Sequence, residues 1–262
     1  MLRKVLRHIL KLLSRWSIKK HGMKIIVVAG IHGTKLTGEI LGQMMLSEYV
    51  VRWQLERPFW DFSIPLSILG EEDVHHTSAQ WLLLLIRNIL RLAFGRRNFT
   101  WTILQMNTFK KDIASYWLDI LKPEISILVN ADLKLRYLEK LLCSNTKDIV
   151  VLPSNAAGSL NLSDKAGRKV VTVGNEKIAN FQIVDFSESE NGTAMDVKIR
   201  NLNQTDSVRS FRFYALQRGE FMYMPIAMSC ATLASLGIKT RKIQDSLIRT
   251  EIEVERFIQR VS

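Results

Sequence analysis

Residues 24–41 constrain the fold more than any other part of the chain. Residues 25–29 are an apolar, β-branched run typical of a buried parallel strand. The run leads into Gly30 and Gly33, and apolar residues at helical spacing follow. A strand, a glycine turn and a helix N-terminus together direct backbone N–H groups and the positive end of a helix dipole at one point, which favours an anion. The segment therefore predicts a strand–loop–helix unit suited to phosphate.

The end of this loop differs from a standard P-loop. A P-loop ends in Gly-Lys-Ser/Thr, where the lysine reaches the β/γ-phosphates and the hydroxyl holds Mg²⁺. Here Gly33 is followed by Thr34 and only then by Lys35, with Thr37 two residues further on. Two interpretations remain open. The segment is a nucleotide-binding loop formed by Gly30, Gly33, Thr34, Lys35 and Thr37, or it is a tight turn with an incidental lysine.

Length and charge define the class of protein. With 262 residues, 47% hydrophobic and 24% charged, the chain can form one sizeable globular domain. Its net charge of +12 favours acidic partners, namely nucleotides, nucleic acid or anionic lipid. Residues 1–24 hold eight Lys/Arg and no acid, so the remainder is only mildly basic.

Apolar residues in positions 2–16 recur at three- and four-residue spacing, with basic residues on the other face. This pattern predicts an amphipathic helix, and we divide the chain into this basic helix (1–22) and a main domain (23–262). The helix either docks onto the domain or lies on an anionic membrane surface. Nucleic acid is not an expected partner, because stacking aromatics do not alternate with the basic residues.

Cysteine usage and hydropathy indicate the compartment. Cys143 and Cys230 lie far apart in apolar surroundings, which predicts two core residues rather than a disulfide or nucleophiles. No run of 18 uncharged apolar residues is present, so we expect no transmembrane helix. The sequence therefore indicates a cytoplasmic protein, with peripheral association at the inner face of the membrane as the alternative.

Strand and helix patterns alternate up to about residue 148. After the glycine-loop unit we expect an irregular stretch over 60–69, strands over 100–106 and 125–129, and helices over 79–94, 112–121 and 133–143. Such alternation is typical of βαβ units and a mostly parallel sheet with flanking helices, an α/β fold. The Glu71–His76 cluster could be read as a metal site, but adjacent His75 and His76 point apart in a regular element, so a polar loop is favoured.

The pattern changes after residue 148. Five short strands separated by Gly-, Asn- and Ser-rich turns predict a small antiparallel subsheet over about 148–217. Two helices follow, over 225–236 and 240–261, with Thr240 as the N-cap of the second.

Six segments carry a family resemblance through their joint order. They are residues 24–37, 64–69, 103–106, 121–130, 168–174 and 227–238. Together they resemble the central ATP-binding domain of the Mur ligases, most closely MurF-like members. The resemblance implies a P-loop-like domain that uses ATP and Mg²⁺ to form amide bonds in peptidoglycan (cell-wall) precursor synthesis.

The resemblance also shows where this sequence departs from the family's chemistry. The family's loop lysine follows the glycine directly, where this chain has Thr34. Its metal-associated glutamate is replaced by Gln105, which lacks the charge that a hard cation prefers. The implied metal candidates are thus Thr34, Thr37 and Gln105. Lys140 falls near a lysine that becomes carbamylated in the family, although an ordinary surface lysine fits its position as well.

Two further departures affect the other end of the site. Ala131 stands where the family has a histidine, and Phe221-Met222 replaces a His-Asn pair ahead of Pro225. The family's C-terminal domain, which receives the second substrate, is expected to be missing after Ser262. A partner chain would then have to supply it.

These observations leave three alternative functions open. The chain is a degenerate or incomplete Mur ligase relative that acts as a binding module; or an active ATP-dependent C–N ligase completed by a partner chain; or a peripheral membrane-binding module that acts through residues 2–16.

Overall fold

A nine-stranded sheet organises the part of the chain that the computed structural model describes, which is residues 2–54, 60–71, 77–95, 100–107, 110–130, 136–157, 168–189, 192–200, 208–216 and 219–250. Its strands are β1 (Lys24–Ala29), β2 (Val51–Gln54), β3 (Trp101–Met106), β4 (Ile125–Leu128), β5 (Ile149–Pro153), β6 (Lys169–Gly174), β7 (Phe181–Ser189), β8 (Gly192–Ile199) and β9 (Arg209–Ala215). Their order across the sheet is β2-β3-β1-β4-β5-β6-β7-β8-β9. All pairs from β2 to β7 are parallel, whereas β8 pairs antiparallel with β7 and β9.

The central strands are buried on both faces, which explains their continuous apolar sequences. Every residue of β3, β4 and β5 is buried, and in β1 only Lys24 is exposed. Helices cover both faces of such a sheet, so successive side chains all lie in apolar surroundings. The predicted mostly parallel sheet with flanking helices and an antiparallel part is confirmed.

The start of the antiparallel part was predicted wrongly. β5 and β6 lie within residues 148–217, yet β5 pairs in parallel with β4 (Ile125 opposite Ile149) and β6 in parallel with β5 (Val150 opposite Val170). Only β7, β8 and β9 form the antiparallel part, and they extend the main sheet. Short strands with polar turns look alike in either direction, so the pattern alone did not reveal the pairing.

The helices form layers around the sheet. They are α1 (Leu2–His21), α2 (Thr34–Met45), α3 (Ser63–Leu69), α4 (Ser78–Phe94), α5 (Lys111–Leu121), α6 (Arg136–Asn145), α7 (Ser154–Ala157), α8 (Tyr223–Ser235) and α9 (Thr240–Ile248), with a 3-10 turn at Glu220–Met222. Ile26 and Val28 of β1 share a core with α2, α8 and α9. Ile25 and Val27 share the opposite core with α5 and α6. A third cluster joins α1, α3 and α4.

Three helix predictions need correction or fall outside the described residues. The stretch expected to be irregular contains α3, in which Pro65 is the third residue; the first turn tolerates proline because its N–H has no partner within the helix. Thr240 is the first residue of α9, and Lys239 is the N-cap. Residues 133–135 and 251–261 of two predicted helices, together with His75 and His76, lie outside the described residues.

α1 docks onto the domain, as one of the two interpretations predicted. Leu10 and Leu13 are buried in the cluster shared with α3 and α4. The Asp61 carboxylate forms a salt bridge with Arg3 at 2.9 Å. The Asp119 carboxylate forms salt bridges with Arg15, at 2.6 Å, and with Lys11. The apolar stripe therefore packs on the protein, and four basic residues of α1, including Arg7, pair with its acids. No described helix is long and apolar enough to cross a membrane.

Candidate functional site

A cleft of about 950 Å³ opens at the carboxyl ends of β1, β3, β4, β5 and β6. The chain places β2 and β3 on one side of β1 and then continues with β4 to β6 on the other side. Ligands of open α/β sheets bind in the crevice at such a reversal of strand order. The volume is within the usual range for a small-molecule site.

Two glycines give the loop after β1 its shape. Gly30 and Gly33 have φ values of 148° and 72°, which residues other than glycine rarely adopt. A Cβ atom on Gly30 would lie 2.5 Å from Asn130 Oδ1. The same oxygen accepts a hydrogen bond from the Ile31 N–H at 2.9 Å. The loop is therefore held closely against the end of β4.

α2 begins at Thr34, immediately after this loop, and its N-terminus faces the cleft. The first N–H groups of a helix have no partner within the helix, and the helix dipole places partial positive charge there. Together with the loop backbone, this arrangement suits a phosphate group without requiring a particular side chain.

Thr34 and Gln105 contact each other beneath the loop. The Gln105 amide donates a hydrogen bond to Thr34 Oγ1 at 2.8 Å, and both side chains are buried. Gln105 Oε1 is also buried and has no hydrogen-bond partner among the described residues. These are the two positions where the resemblance places a lysine and a metal-associated glutamate. Two uncharged side chains joined by one hydrogen bond thus stand at the positions where the resemblance places two opposite charges.

The other candidate residues have different surroundings. Lys35 is exposed and lines the cleft. Thr37 is fully buried, and its hydroxyl donates to the Gly33 carbonyl oxygen at 2.8 Å. Lys140 is exposed on α6 and does not line the cleft. The structure therefore brings Gly30, Gly33, Thr34, Lys35 and Gln105 together, keeps Thr37 beneath the loop and leaves Lys140 elsewhere.

The donor groups of the described cleft residues do not fit a magnesium ion. Mg²⁺ prefers carboxylate oxygens and water. Among the described lining residues Glu176 is the carboxylate, and it already accepts the Ser154 hydroxyl. The hydroxyls of Thr34 and Thr37 are engaged in hydrogen bonds, and the described residues contain no cluster of three or more acid, His or Cys side chains. The loop suits a phosphate, whereas the side chains that the structure describes provide no anionic metal site.

Several cleft residues were not identified as site residues from the sequence. Asn130, Ser154, Asn155 and Asn175 all follow closely after the ends of β4, β5 and β6 and line the cleft. The available signal was their position, because the carboxyl ends of parallel strands meet at one edge of the sheet. Another part of the wall is largely apolar and is formed by Phe221, Tyr223, Met224 and Pro225.

The two cysteines are confirmed as buried core residues. Burial is the largest cause that raises the pKa of Cys143, to about 11, and the nearby Glu139 carboxylate adds to it. Burial also raises the pKa of Cys230. Neither residue lines the cleft, so neither contributes a nucleophile there.

Comparison with known proteins places this geometry in context. No protein-family model and no curated protein sequence matches the chain. Solved structures do match. MurF from Acinetobacter baumannii superposes with a TM-score of 0.67 at 12% identity, over 95% of this chain and 51% of that one. The chain has the fold of the Mur ligases.

Two more structures with the Mur ligase fold are similar over most of the chain. MurF ligase from Thermotoga maritima, solved in complex with ADP, has a TM-score of 0.67 at 16% identity, over 94% of this chain and 52% of that one. A mutant of L. casei FPGS has a TM-score of 0.59 at 12% identity, over 95% of this chain and 68% of that one. The chain spans about half the length of the MurF structures that it matches. The predicted resemblance to the Mur ligase central domain is thus confirmed at the level of the fold.

Proposed function

We propose that this chain is a divergent relative of the Mur ligases that holds the phosphates of a nucleotide through the backbone of its glycine loop. It acts as a binding module rather than as an independent ligase. The observation that carries the proposal is the buried hydrogen bond between Thr34 and Gln105 at the positions of the family's lysine and glutamate.

Phosphoryl transfer depends on positioning and on neutralising the charge that develops on the transferred group. A lysine and a magnesium ion usually supply that positive charge. Here both counterpart side chains are uncharged and are bonded to each other. We therefore expect nucleotide to bind weakly and with little dependence on magnesium, and ATP turnover by this chain to be undetectable.

Phosphate binding itself survives these changes because it uses the backbone. The loop conformation depends on Gly30 and Gly33, and Asn130 fixes it through the Ile31 N–H. These groups hold a phosphate in place at the α2 N-terminus. The ADP in the T. maritima MurF structure supports the choice of ligand class.

An active C–N ligase is the second candidate. The chain spans about half the length of the MurF structures, so ligation would require the remaining half, supplied by this protein or by a partner chain. In that case Lys35, which lines the cleft, would provide the charge that Thr34 lacks. A cytoplasmic role in peptidoglycan precursor synthesis belongs to either candidate.

Glycine variants test the proposed loop. Gly30→Ala would place a methyl group 2.5 Å from Asn130 Oδ1 and is expected to abolish ATP binding measured by equilibrium dialysis. Gly22→Ala is the matched control, because Gly22 also has positive φ (57°) but meets nothing within 4 Å and lies outside the cleft. Retained ATP binding in Gly30→Ala, with the fold intact by circular dichroism, would contradict the proposal.

A further inference from the structure

α4 turns an apolar face away from the rest of the protein. Six of its large apolar side chains are between 45% and 85% exposed: Leu82, Leu83, Ile86, Ile89, Leu90 and Phe94. At 100° per residue they all fall on the same side of the helix, together with exposed Ala93, and no charged residue interrupts them. In an ordinary surface helix the apolar face packs on the core and the polar face is exposed.

The polar contacts of α4 fix this orientation. On its inner side Leu84, Asn88 and Leu92 are buried. Asn88 donates to the buried Glu71 carboxylate at 2.9 Å, and Arg91 does so at 3.0 Å. Asn88 and Arg91 are held by Glu71. A rotation of α4 that buried its apolar face and exposed these polar side chains would break these hydrogen bonds.

Both ends of α4 are also held. Thr77 and Gln80 form a capping box at the N-terminus. At the C-terminus Lys20 of α1 donates to the Ala93 carbonyl oxygen at 3.1 Å, which places a cation at the negative end of the helix dipole. The exposed apolar face therefore belongs to a well-anchored helix.

The charges beside this face are positive. α1 and α4 together contain nine Lys/Arg and no Asp/Glu. Three acids from other elements, Asp61, Glu71 and Asp119, pair with some of them, so a positive excess remains. α1 packs beside α4 and adds the exposed side chain of Trp16, a residue that suits the boundary between lipid and water.

We propose that the outward face of α4, with the exposed cations of α1 beside it, docks onto an anionic lipid membrane. An apolar helix face combined with an excess of cations matches the acyl boundary and the negative headgroups of such a surface. Pairing with a second copy through this face would bring together two surfaces that each have an excess of positive charge. The inference is independent of the nucleotide site. It assigns membrane contact to α4 instead of the apolar stripe of residues 2–16, because Leu10 and Leu13 of that stripe are buried.

Vesicle flotation tests the proposal on the full chain. We expect binding to vesicles of phosphatidylcholine with phosphatidylglycerol, weaker binding at high salt, and little binding to phosphatidylcholine alone. Leu83→Gln/Phe94→Gln is expected to reduce binding by about tenfold or more. Ile178→Gln/Val184→Gln is the matched control, since these apolar side chains are also exposed but lie elsewhere; it should bind like the parent chain.

A second measurement does not depend on the glutamine variants. Since both native cysteines are buried, Phe94→Cys and Ile178→Cys each provide one accessible thiol for an environment-sensitive fluorophore. Emission should shift to the blue on anionic vesicles for the label at position 94 and remain unchanged at position 178. Absence of parent-chain binding, equal binding by Leu83→Gln/Phe94→Gln, or an oligomer in light scattering that this variant converts to monomer would overturn the proposal.

Discussion

The hydrogen bond between Gln105 and Thr34 is the contact on which the proposed chemistry of the cleft depends. A lysine in place of Thr34 would have a buried uncharged amide as its neighbour, and a glutamate in place of Gln105 would have a buried hydroxyl. Leaving a buried charge without a partner is costly. The present pair avoids this cost because neither side chain is charged.

Thr34→Val tests whether this pair stabilises the fold. The substitution leaves the buried Gln105 amide without its acceptor, so we expect the free energy of unfolding to fall by about 1–3 kcal/mol in urea titrations. Adding Gln105→Met should recover part of the loss, because it removes the unpaired donor as well. Equal or greater loss in the double variant would show that the two side chains are not coupled.

Thr232→Val is the matched control for this prediction. The Thr232 hydroxyl is also fully buried, but it donates to the Met228 carbonyl oxygen within α8 at 2.7 Å. Its removal leaves no buried donor without a partner, so the loss should be smaller than for Thr34→Val.

The cysteines provide a second prediction for single residues. Because burial raises the pKa of the Cys143 thiol to about 11 and raises that of Cys230, the reactive thiolate is scarce at pH 8. We expect iodoacetamide to modify neither residue in the folded chain and both in urea, as measured by intact mass. Rapid modification of either thiol in the native state would contradict this prediction.

Prediction from sequence was least complete at the residue level. The glycines and the displaced lysine could be identified, because a turn and a helix start follow a buried strand. The contact between Thr34 and Gln105 could not, because it depends on the parallel register that places Val28 beside Gln105, 77 residues away in the chain. The role of Asn130 depends likewise on the pairing of β1 with β4.

Among the elements, α1 provides the clearest test of packing. Leu10→Ala removes a fully buried side chain from the cluster with α3 and α4, so we expect a loss of about 2–5 kcal/mol in the free energy of unfolding. Leu12→Ala, on the exposed side of the same helix, should change it by less than about 0.5 kcal/mol. Similar small effects at both positions would contradict the docked helix.

Asp119 makes the docking of α1 sensitive to acid. Burial acts to raise the pKa of this carboxyl, but Lys11 and Arg15 together lower it below its ordinary value. A lowered pKa in the folded state contributes stability above the ordinary Asp pKa, and this stability is lost as the pH falls through the lowered value. The pairs are partly exposed, so Asp119→Asn should cost less than about 1 kcal/mol at pH 7.

The measurement for Asp119→Asn is the urea midpoint at pH 7 and at pH 3. The difference between the variant and the parent chain should shrink at the lower pH, because the parent chain then loses the carboxylate charge as well. A difference that grows towards acid would contradict the sign of this argument.

The elements of the central sheet were predictable from apolar runs, because burial on both faces leaves a continuous pattern. α3 was not predicted, since the stretch over 60–69 contains Pro65, and proline commonly interrupts a helix although the first turn tolerates it. The parallel pairing of β5 and β6 was missed because strand direction depends on partners far apart in the chain. Local sequence patterns therefore predict the position of a strand or helix better than they predict the direction in which a strand pairs with its neighbours.

At the scale of the whole molecule, the fold and the site support different conclusions. The sheet order and the solved structures establish the Mur ligase fold over most of the chain. Within that fold the cleft has a glycine loop with positive φ values and an uncharged, hydrogen-bonded pair, Thr34 and Gln105. On the function proposed above, the protein would bind nucleotide without consuming it.

Calorimetric titration with ATP, in the presence and absence of Mg²⁺, tests this central claim most directly. If the loop backbone and the α2 dipole provide the binding, the affinity is weak, nearly the same with and without magnesium, and retained in Lys35→Ala. Tight binding that depends strongly on magnesium and is lost in Lys35→Ala would contradict the account and establish a catalytic nucleotide site.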